Sequence, residues 1–424
     1  MTPELNRDLV DHAPGSADSV RLTHGQWMTL LAAFLGWMFD GFEMGIFPLV
    51  ARPALADMGY SGEVGKWMGY VTALFLLGAA GGGLVFGWLG DRIGRVRAMS
   101  LSILTYSVFS GCCYFATEPW HLGALRFLSA LGMGGEWSLG VALVMECWPE
   151  RFRPWLAAAI GAASNVGFAL IAVVGLVHPI TTAEWRWVML VGAAPALLTF
   201  FIRLFVPESE RWKESVSASV SRPLSEIFSP ALLKTTILAI SFASVALIGT
   251  WGSVQWAPLW ADQMTGGTVP HAKAMTGLVS GIGAIFGCIA GPLLGSAIGR
   301  RPTYFCLCLL SLLTCGFLFR AFDEYGAEFL LTVGVVGACT ASFYGWLPLY
   351  LPELFPTRVR ATGQGISYNF GRILAAAGAL AQGSLVGYFG GSFAKAGAIV
   401  TLIYVIGMVL IWLAPETRGK PLPD

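Results

Sequence analysis

The sequence predicts an all-α membrane protein with twelve transmembrane helices in two pseudo-symmetric six-helix bundles and both termini in the cytoplasm. Three observations predict it. Apolar stretches near twenty residues recur along the whole chain, charge is scarce, and short motifs of the first half reappear about 205 positions later.

Of the 424 residues, 55% are hydrophobic and only 12% charged, and the mean hydropathy is +0.67. A soluble chain carries about 25% charged residues, so this one has too little polar surface to face water all round. About 20 apolar residues cross ~30 Å of hydrocarbon as a helix. The predicted spans are 27–50, 66–89, 97–116, 121–145, 155–177, 185–206, 232–258, 273–297, 302–321, 328–350, 362–388 and 393–414. A single soluble core could not bury so many. Residues 1–26 are polar and lack the short apolar core of a signal peptide, so they read as a cytoplasmic tail. Residues 207–231 read as a cytoplasmic linker between bundles at 27–206 and 232–414, and 415–424 as a second cytoplasmic tail. The net charge of +1 and the lack of a basic run point away from nucleic acid. Eight cysteines sit mostly inside apolar runs without metal-site spacing, and read as small packing residues.

Lys and Arg set the orientation. With the N-terminus inside, the cytoplasmic segments hold eighteen of them and the outer segments only six: Arg52, Lys66, Arg186, Lys273, Arg320 and Lys395. Arg126 and Arg372 remain inside helices. His121, His178 and His271 fall at predicted outer ends and read as interface residues.

The two halves repeat. Gly90–Arg95 matches Gly295–Arg300, Pro149–Glu150 matches Pro352–Glu353, Ser164–Gly167 matches Tyr368–Gly371, and Pro207–Ser209 matches Pro415–Thr417. The shifts are 205, 203, 204 and 208, which indicates a duplicated unit. Parallel halves of this kind are a known transporter architecture.

The segment Gly87–Trp88–Leu89–Gly90–Asp91–Arg92–Ile93–Gly94–Arg95–Val96–Arg97 resembles the loop signature of the major facilitator superfamily, placed between helices 2 and 3 as in that family. The block from Pro352 to Gly363 and the tails Pro207–Trp212 and Pro415–Gly419 agree, over about residues 25–420. Within it, Trp37–Glu43, Gly132–Trp137 and Tyr368–Arg372 resemble proton symporters of organic acids, the sialate/lactate and aromatic-acid groups. Two positions depart: Glu43 stands where those groups usually show Asp, and Ala130 where they usually show Gly. The glutamine-rich helix-7 signature of sugar porters is missing; Gly249–Gln255 stands there, which counts against a sugar. The resemblance implies gate roles for Gly87, Asp91, Arg92, Gly94 and Arg95 on the cytoplasmic side. Glu150 and Arg153, grouped with Glu146 and Arg151, and Glu353 and Arg360 in the second copy, read as further gating charges.

Ionisable groups at membrane depth cost at least ~2.5 kcal/mol each to insert and are usually functional. Asp40, Glu43, Arg126, Glu136 and Arg372 stand out. At ~1.5 Å per residue, Glu43 and Arg126 fall at one level, and Asp40 and Glu43 share a helix face expected to look into a central cavity. These carboxyls read as proton sites with Arg126 as their modulator; the alternative is an ion pair that only fixes packing. Glu136 is either scaffold or proton relay, among glycines that let helices approach. Arg372 lies near the midplane, and its repeat partner is Phe168, so the charge breaks the internal symmetry. Its fork matches a carboxylate, which suggests substrate binding; the alternative is a pair with Asp40 or Glu43. Asn165, Asn369, Tyr368 and Gln382 could add hydrogen bonds, and Trp251 and Gln255 could wall the cavity, with ordinary packing as the alternative, more so for Trp256 and Trp260.

The expected protein is therefore a monomeric, multi-pass plasma (inner) membrane transporter that carries a small carboxylate with protons by alternating access. An uncoupled facilitator or exporter of a small metabolite such as a sugar or sugar acid, and a non-transporting membrane sensor, are the other readings. No nucleotide loop, catalytic triad or metal cluster is found, so neither enzymatic activity nor a cofactor is expected.

Overall fold

A computed structural model of the chain describes residues 22–177, 180–210, 212–214, 223–266, 268–269 and 271–423. Residues 1–21 of the predicted tail, with Arg7 and Arg21, lie outside these, as do His178, Arg211 and Arg222. The regular structure among the described residues is entirely helical.

The first run comprises α1 (His24–Asp57), α2 (Val64–Ile93), α3 (Arg95–Cys112), α4 (Pro119–Met133), α5 (Glu136–Cys147), α6 (Arg153–Val177), α7 (Trp185–Val191) and α8 (Ala196–Phe205). The short α9 (Pro223–Ile227) lies in the predicted linker. The second run comprises α10 (Leu233–Trp251), α11 (Ala257–Met264), α12 (Ala272–Ile298), α13 (Arg300–Ala321), α14 (Ala327–Tyr350), α15 (Arg360–Tyr388), α16 (Phe393–Val400) and α17 (Ile403–Leu410).

Among the described residues, ten segments are long and apolar enough to cross a membrane. The predicted spans at 185–206 and 362–388 are helical but outside those ten. The first is interrupted between α7 and α8, and the second, α15, buries Gln364, Asn369, Arg372 and Gln382. α1 begins with a reciprocal cap: the Gln26 backbone N–H donates to the Thr23 hydroxyl and Gln26 Oε1 accepts from the Thr23 N–H at 2.8 Å. It continues past Pro48 and Pro53, beyond the predicted end at 50, because Ala51, Ala54 and Leu55 stay buried in the core. Besides 185–206, three predicted continuous spans are broken, one of them 393–414, which divides between α16 and α17. Residues 121–145 divide into α4 and α5 at Gly134–Gly135, and 232–258 divide into α10 and α11 at Gly252–Ser253. The exterior is apolar: Leu197, Leu204 and Leu331 are 75%, 75% and 71% exposed, a surface suited to lipid.

The repeat is visible as paired geometry. α2 turns into α3 at Gly94 (φ +104°) and α12 into α13 at Gly299 (φ +105°), a region that glycine enters without steric cost. Glu208 accepts from the backbone N–H groups of Arg95 and Val96 at 3.0 and 3.1 Å, while Glu416 accepts from those of Arg300 and Arg301 at 3.0 and 3.1 Å. Each acid satisfies donors that a helix start leaves open and complements its dipole.

Partial burial pushes the Glu416 carboxyl upward, but donors from Arg300, Arg301, Arg418 and Thr417 outweigh it and hold it below its ordinary value of 4.5. A carboxyl depressed on folding adds stability above its unfolded value and loses it as pH falls through the folded one. Glu416→Gln should therefore melt at a lower temperature than the native protein at neutral pH, and the gap should shrink below pH 4.5. A gap that persists unchanged in acid would contradict the cap.

Candidate functional site

At the end of the bundle where the described chain starts and stops, each half closes around an arginine. Arg95 reaches Asp91 at 2.5 Å, Glu146 at 3.2 Å and the Gly90 carbonyl at 2.9 Å, and the Ser209 hydroxyl donates to Glu146 at 2.6 Å. Arg300 binds Glu353 through two nitrogens, at 3.0 and 2.6 Å, and the Gly295 carbonyl at 3.0 Å, and Thr417 donates to Glu353 at 2.6 Å. This corrects two readings of the sequence. Glu146 belongs to the Arg95 network, not to Glu150, Arg151 and Arg153. The counterpart of Glu353 is Glu146, 207 positions earlier, not the Glu150 of the matching Pro–Glu pair. The dipeptide follows the loop, whereas the carboxylate that matters sits one turn back, inside α5. Glu150 is half exposed and pairs with Arg153 at 2.5 Å; Arg360 binds the carbonyls of Pro352 and Pro423 at 3.2 and 2.7 Å.

Of Gly87, Asp91, Arg92, Gly94 and Arg95, to which the resemblance gives gate roles, Asp91 has a hydrogen bond across the halves among the described residues, accepting from the Thr362 hydroxyl of α15. Arg92 is exposed with its guanidinium 4.4 Å from the Trp88 ring. Gly87 stands 3.7 Å from the Ala361 carbonyl, measured from an added Cβ.

Asp40 and Glu43 do not share surroundings, and neither lines the cavity described below, contrary to expectation. Three residues on α1 turn them about 60° apart, enough to send them to different neighbours. Glu43 meets Arg126 of α4 and accepts from Ser110 at 2.7 Å and Ser129 at 3.3 Å. The Arg126 guanidinium lies 4.6 Å from the Phe75 ring and also donates to the Glu43 carbonyl at 3.3 Å. Asp40 instead faces Glu136, the first residue of α5. Both carboxyls are buried, and none of their oxygens has a conventional donor among the described residues. Gly36, one turn before Asp40, makes room: a Cβ there would strike the Glu136 carboxyl.

Glu136 is followed by Trp137, whose ring stacks on Tyr368 of α15 at 4.3 Å and 18°. One turn on, the Arg372 guanidinium sits 4.9 Å from the Tyr368 ring and donates to Asn369 Oδ1 at 2.9 Å. Asn369 in turn donates to the Gly365 carbonyl at 2.7 Å and packs against Gly83 of α2, where a Cβ would displace it. An aromatic stack thus joins the acid pair of one half to the arginine of the other.

Arg372 and Tyr368 line a cavity of about 150 Å³ between α1, α6, α12, α14, α15 and the break separating α10 from α11. Asn165, Trp251 and Gln255 line it; Gln382 does not, and is buried elsewhere on α15. Phe168 is on the wall too, so the repeat partners Phe168 and Arg372 face one space with unlike chemistry. Trp256 donates to the Trp251 carbonyl at 3.0 Å and Trp260 packs between Phe319 and Phe329, both as packing residues. The cavity extends away from the termini to Lys273 in the first turn of α12. Towards the termini the halves meet at Gly161 against Gly345 and at Thr362 with Asp91.

Sequence reasoning passed over Trp137, Gly36, Gly83 and Lys273. Lys273 counted only as an outer-segment cation. Its signal was periodic: Gly277, Ser280, Gly281 and Ala284 follow at helical spacing, and all line the cavity.

The family model of the Major Facilitator Superfamily matches residues 28–367. A Haemophilus influenzae protein assigned to metabolite transport is 30% identical over 415 residues, covering 93% of this chain and 98% of its own length. A sialic acid transporter of Escherichia coli is 27% identical over 390 residues, covering 92% and 93%. The solved proton:xylose symporter XylE aligns with a TM-score of 0.75 at 17% identity over 94% of this chain and 98% of that one, a likeness of fold.

Gly36→Ala and Gly83→Ala should each lower stability by about 1–3 kcal/mol, the usual cost of overpacking, read as a lower melting temperature in detergent. Unchanged melting of both would contradict the close approach of Glu136 and Asn369 to these helices.

Proposed function

The chain belongs to the major facilitator superfamily, and on that premise we propose that it is a proton-coupled symporter of a small organic carboxylate, with twelve spans and both termini cytoplasmic. It is a multi-pass membrane transporter of organic substrates, not an enzyme.

The observation that carries the reading is Asp40 facing Glu136, neither carboxyl having a hydrogen-bond donor among the described residues, close to an arginine on a cavity wall. Two carboxyls held together away from water are mutually repulsive when both are charged; a proton between them turns repulsion into a hydrogen bond. Arg372 is within electrostatic reach of Asp40. With the pair protonated, the strongest anion available to Arg372 is a substrate carboxylate, for which its planar fork is suited. With the proton gone, Asp40 competes for the guanidinium and the substrate is released. The Trp137–Tyr368 stack holds the two events in register, since Tyr368 touches both neighbours.

The cavity size fits this class. A hydrophobic cavity of about 150 Å³ takes up a benzene-sized body, and Trp37, Phe168 and Trp251 supply such walls here. A lone anion moving towards a negative interior costs ~2.3 kcal/mol per 100 mV, which one accompanying proton removes for a monoanion. The cavity reaches towards the outer face, and the Asp91–Thr362 and Gly161–Gly345 contacts close the cytoplasmic side, so the form described is the outward one of an alternating-access cycle. Glu43 and Arg126 have each other and two serines, so they are assigned to holding α1 on α4 rather than to carrying the proton.

In proteoliposomes, Arg372→Gln should lower carboxylate uptake at least 100-fold, and Arg372→Lys should recover only part of it. Uptake by Arg372→Gln at the native level would remove the substrate role. Asp40→Asn and Glu136→Gln should still exchange substrate across the membrane but no longer accumulate it under an imposed pH gradient; native accumulation by both would sink the coupling assignment. Glu43→Gln should differ, losing about 3–5 kcal/mol of stability because Arg126 is left buried and unpaired. A melting temperature equal to the native one would remove the holding role.

A further inference from the structure

The cavity wall carries a cation at each end and, among the described residues, no Asp or Glu. Arg372 stands at the deep end, midway along α15. Lys273 stands at the other, in the first turn of α12. The acid within electrostatic reach of Lys273 is Asp262, which is off the wall and engaged by Arg52 at 3.0 Å. Arg52, Asp262 and Lys273 together leave one positive charge at the mouth. Between the two cations, the face of α12 that lines the cavity carries only small side chains at Gly277, Ser280, Gly281 and Ala284. Nothing bulky on that face separates the ammonium from the guanidinium.

We propose that Lys273 is a second anion subsite and that the transported acid is a dicarboxylate, its two carboxylates lying at opposite ends of a compact apolar body. The proposal rests on the reading of Arg372 as the first carboxylate site. A monoacid on Arg372 leaves the Lys273 charge uncompensated beside an apolar wall, whereas a diacid of matching length neutralises both ends. Charge pairs of this kind set specificity and register more than raw affinity, so the signature is discrimination by length and by the second charge.

The test uses the full-length purified protein and measures binding of benzoate and of the straight-chain diacids succinate, glutarate, adipate and pimelate by calorimetry. The native protein should prefer one diacid length over benzoate by tenfold or more. Lys273→Gln should weaken that diacid by tenfold or more and benzoate by less than twofold, and Lys273→Arg should keep the length preference. Arg372→Gln should weaken both classes. Equal weakening of benzoate and diacid by Lys273→Gln, absence of any diacid preference in the native protein, or binding of none of the five acids would each overturn the subsite. If Arg372→Gln leaves both classes unaffected, the carboxylate reading itself falls; if only the Lys273→Gln discrimination is missing, that reading stands and the subsite alone is lost.

Discussion

A charge taken out of water must find a partner, and that constraint arranges this bundle. Arg95 draws Asp91 and Glu146 together from α2 and α5, Arg300 draws in Glu353, and Glu43 draws in Arg126. In each case the partners come from different helices or from opposite sides of a turn. Neutralising them therefore fixes where those helices stand. Such pairs contribute little net stability compared with apolar replacements, but removing one member is costly. They act as registers for the packing, and the groups left outside the scheme mark where the molecule has other uses for charge. Asp40 with Glu136 is one such place, and the cavity wall is the other.

The division of labour follows from the repeat. The duplicated elements, the glycine turns and the arginine networks, keep both halves alike at the end near the termini. The cavity departs from it: Phe168 and Arg372 are repeat partners and share one space. Under the proposed function, the first half holds the proton, the second holds the carboxylate, and the Trp137–Tyr368 stack is the aromatic contact between them.

Much of the fold was legible because hydropathy over twenty residues is a strong signal and four motif matches lie in order. Helix depth also put Glu43 and Arg126 at one level, and the structure joins them. Other features left no such trace. The interruptions before Glu136 and after Trp251, at Gly134–Gly135 and Gly252–Ser253, are only a few residues long, so a hydropathy window that averages over a whole span passes across them. Glu150 offered a better string match to Glu353 than Glu146 did, because sequence identity recorded the loop while the buried carboxylate lay one turn earlier. Asp40 and Glu43 share a helix stripe, yet 60° of rotation is enough to give them unlike partners. Which side of a helix meets a cavity depends on its neighbours, and that information is spread over the whole chain.

Each half borrows the acid that completes its third helix from beyond its last one: Glu208 for Arg95 and Glu416 for Arg300, at separations of 113 and 116 residues. The heritable module is therefore longer than the helices it encodes. A duplication that copied only the membrane-crossing segments would have left the new copy without its Glu, its Ser or Thr, and the turn they secure. The same holds for any recombination between relatives: a junction placed at the end of α8 separates a half from its own closure, whereas one placed after Ser209 transfers a self-sufficient piece.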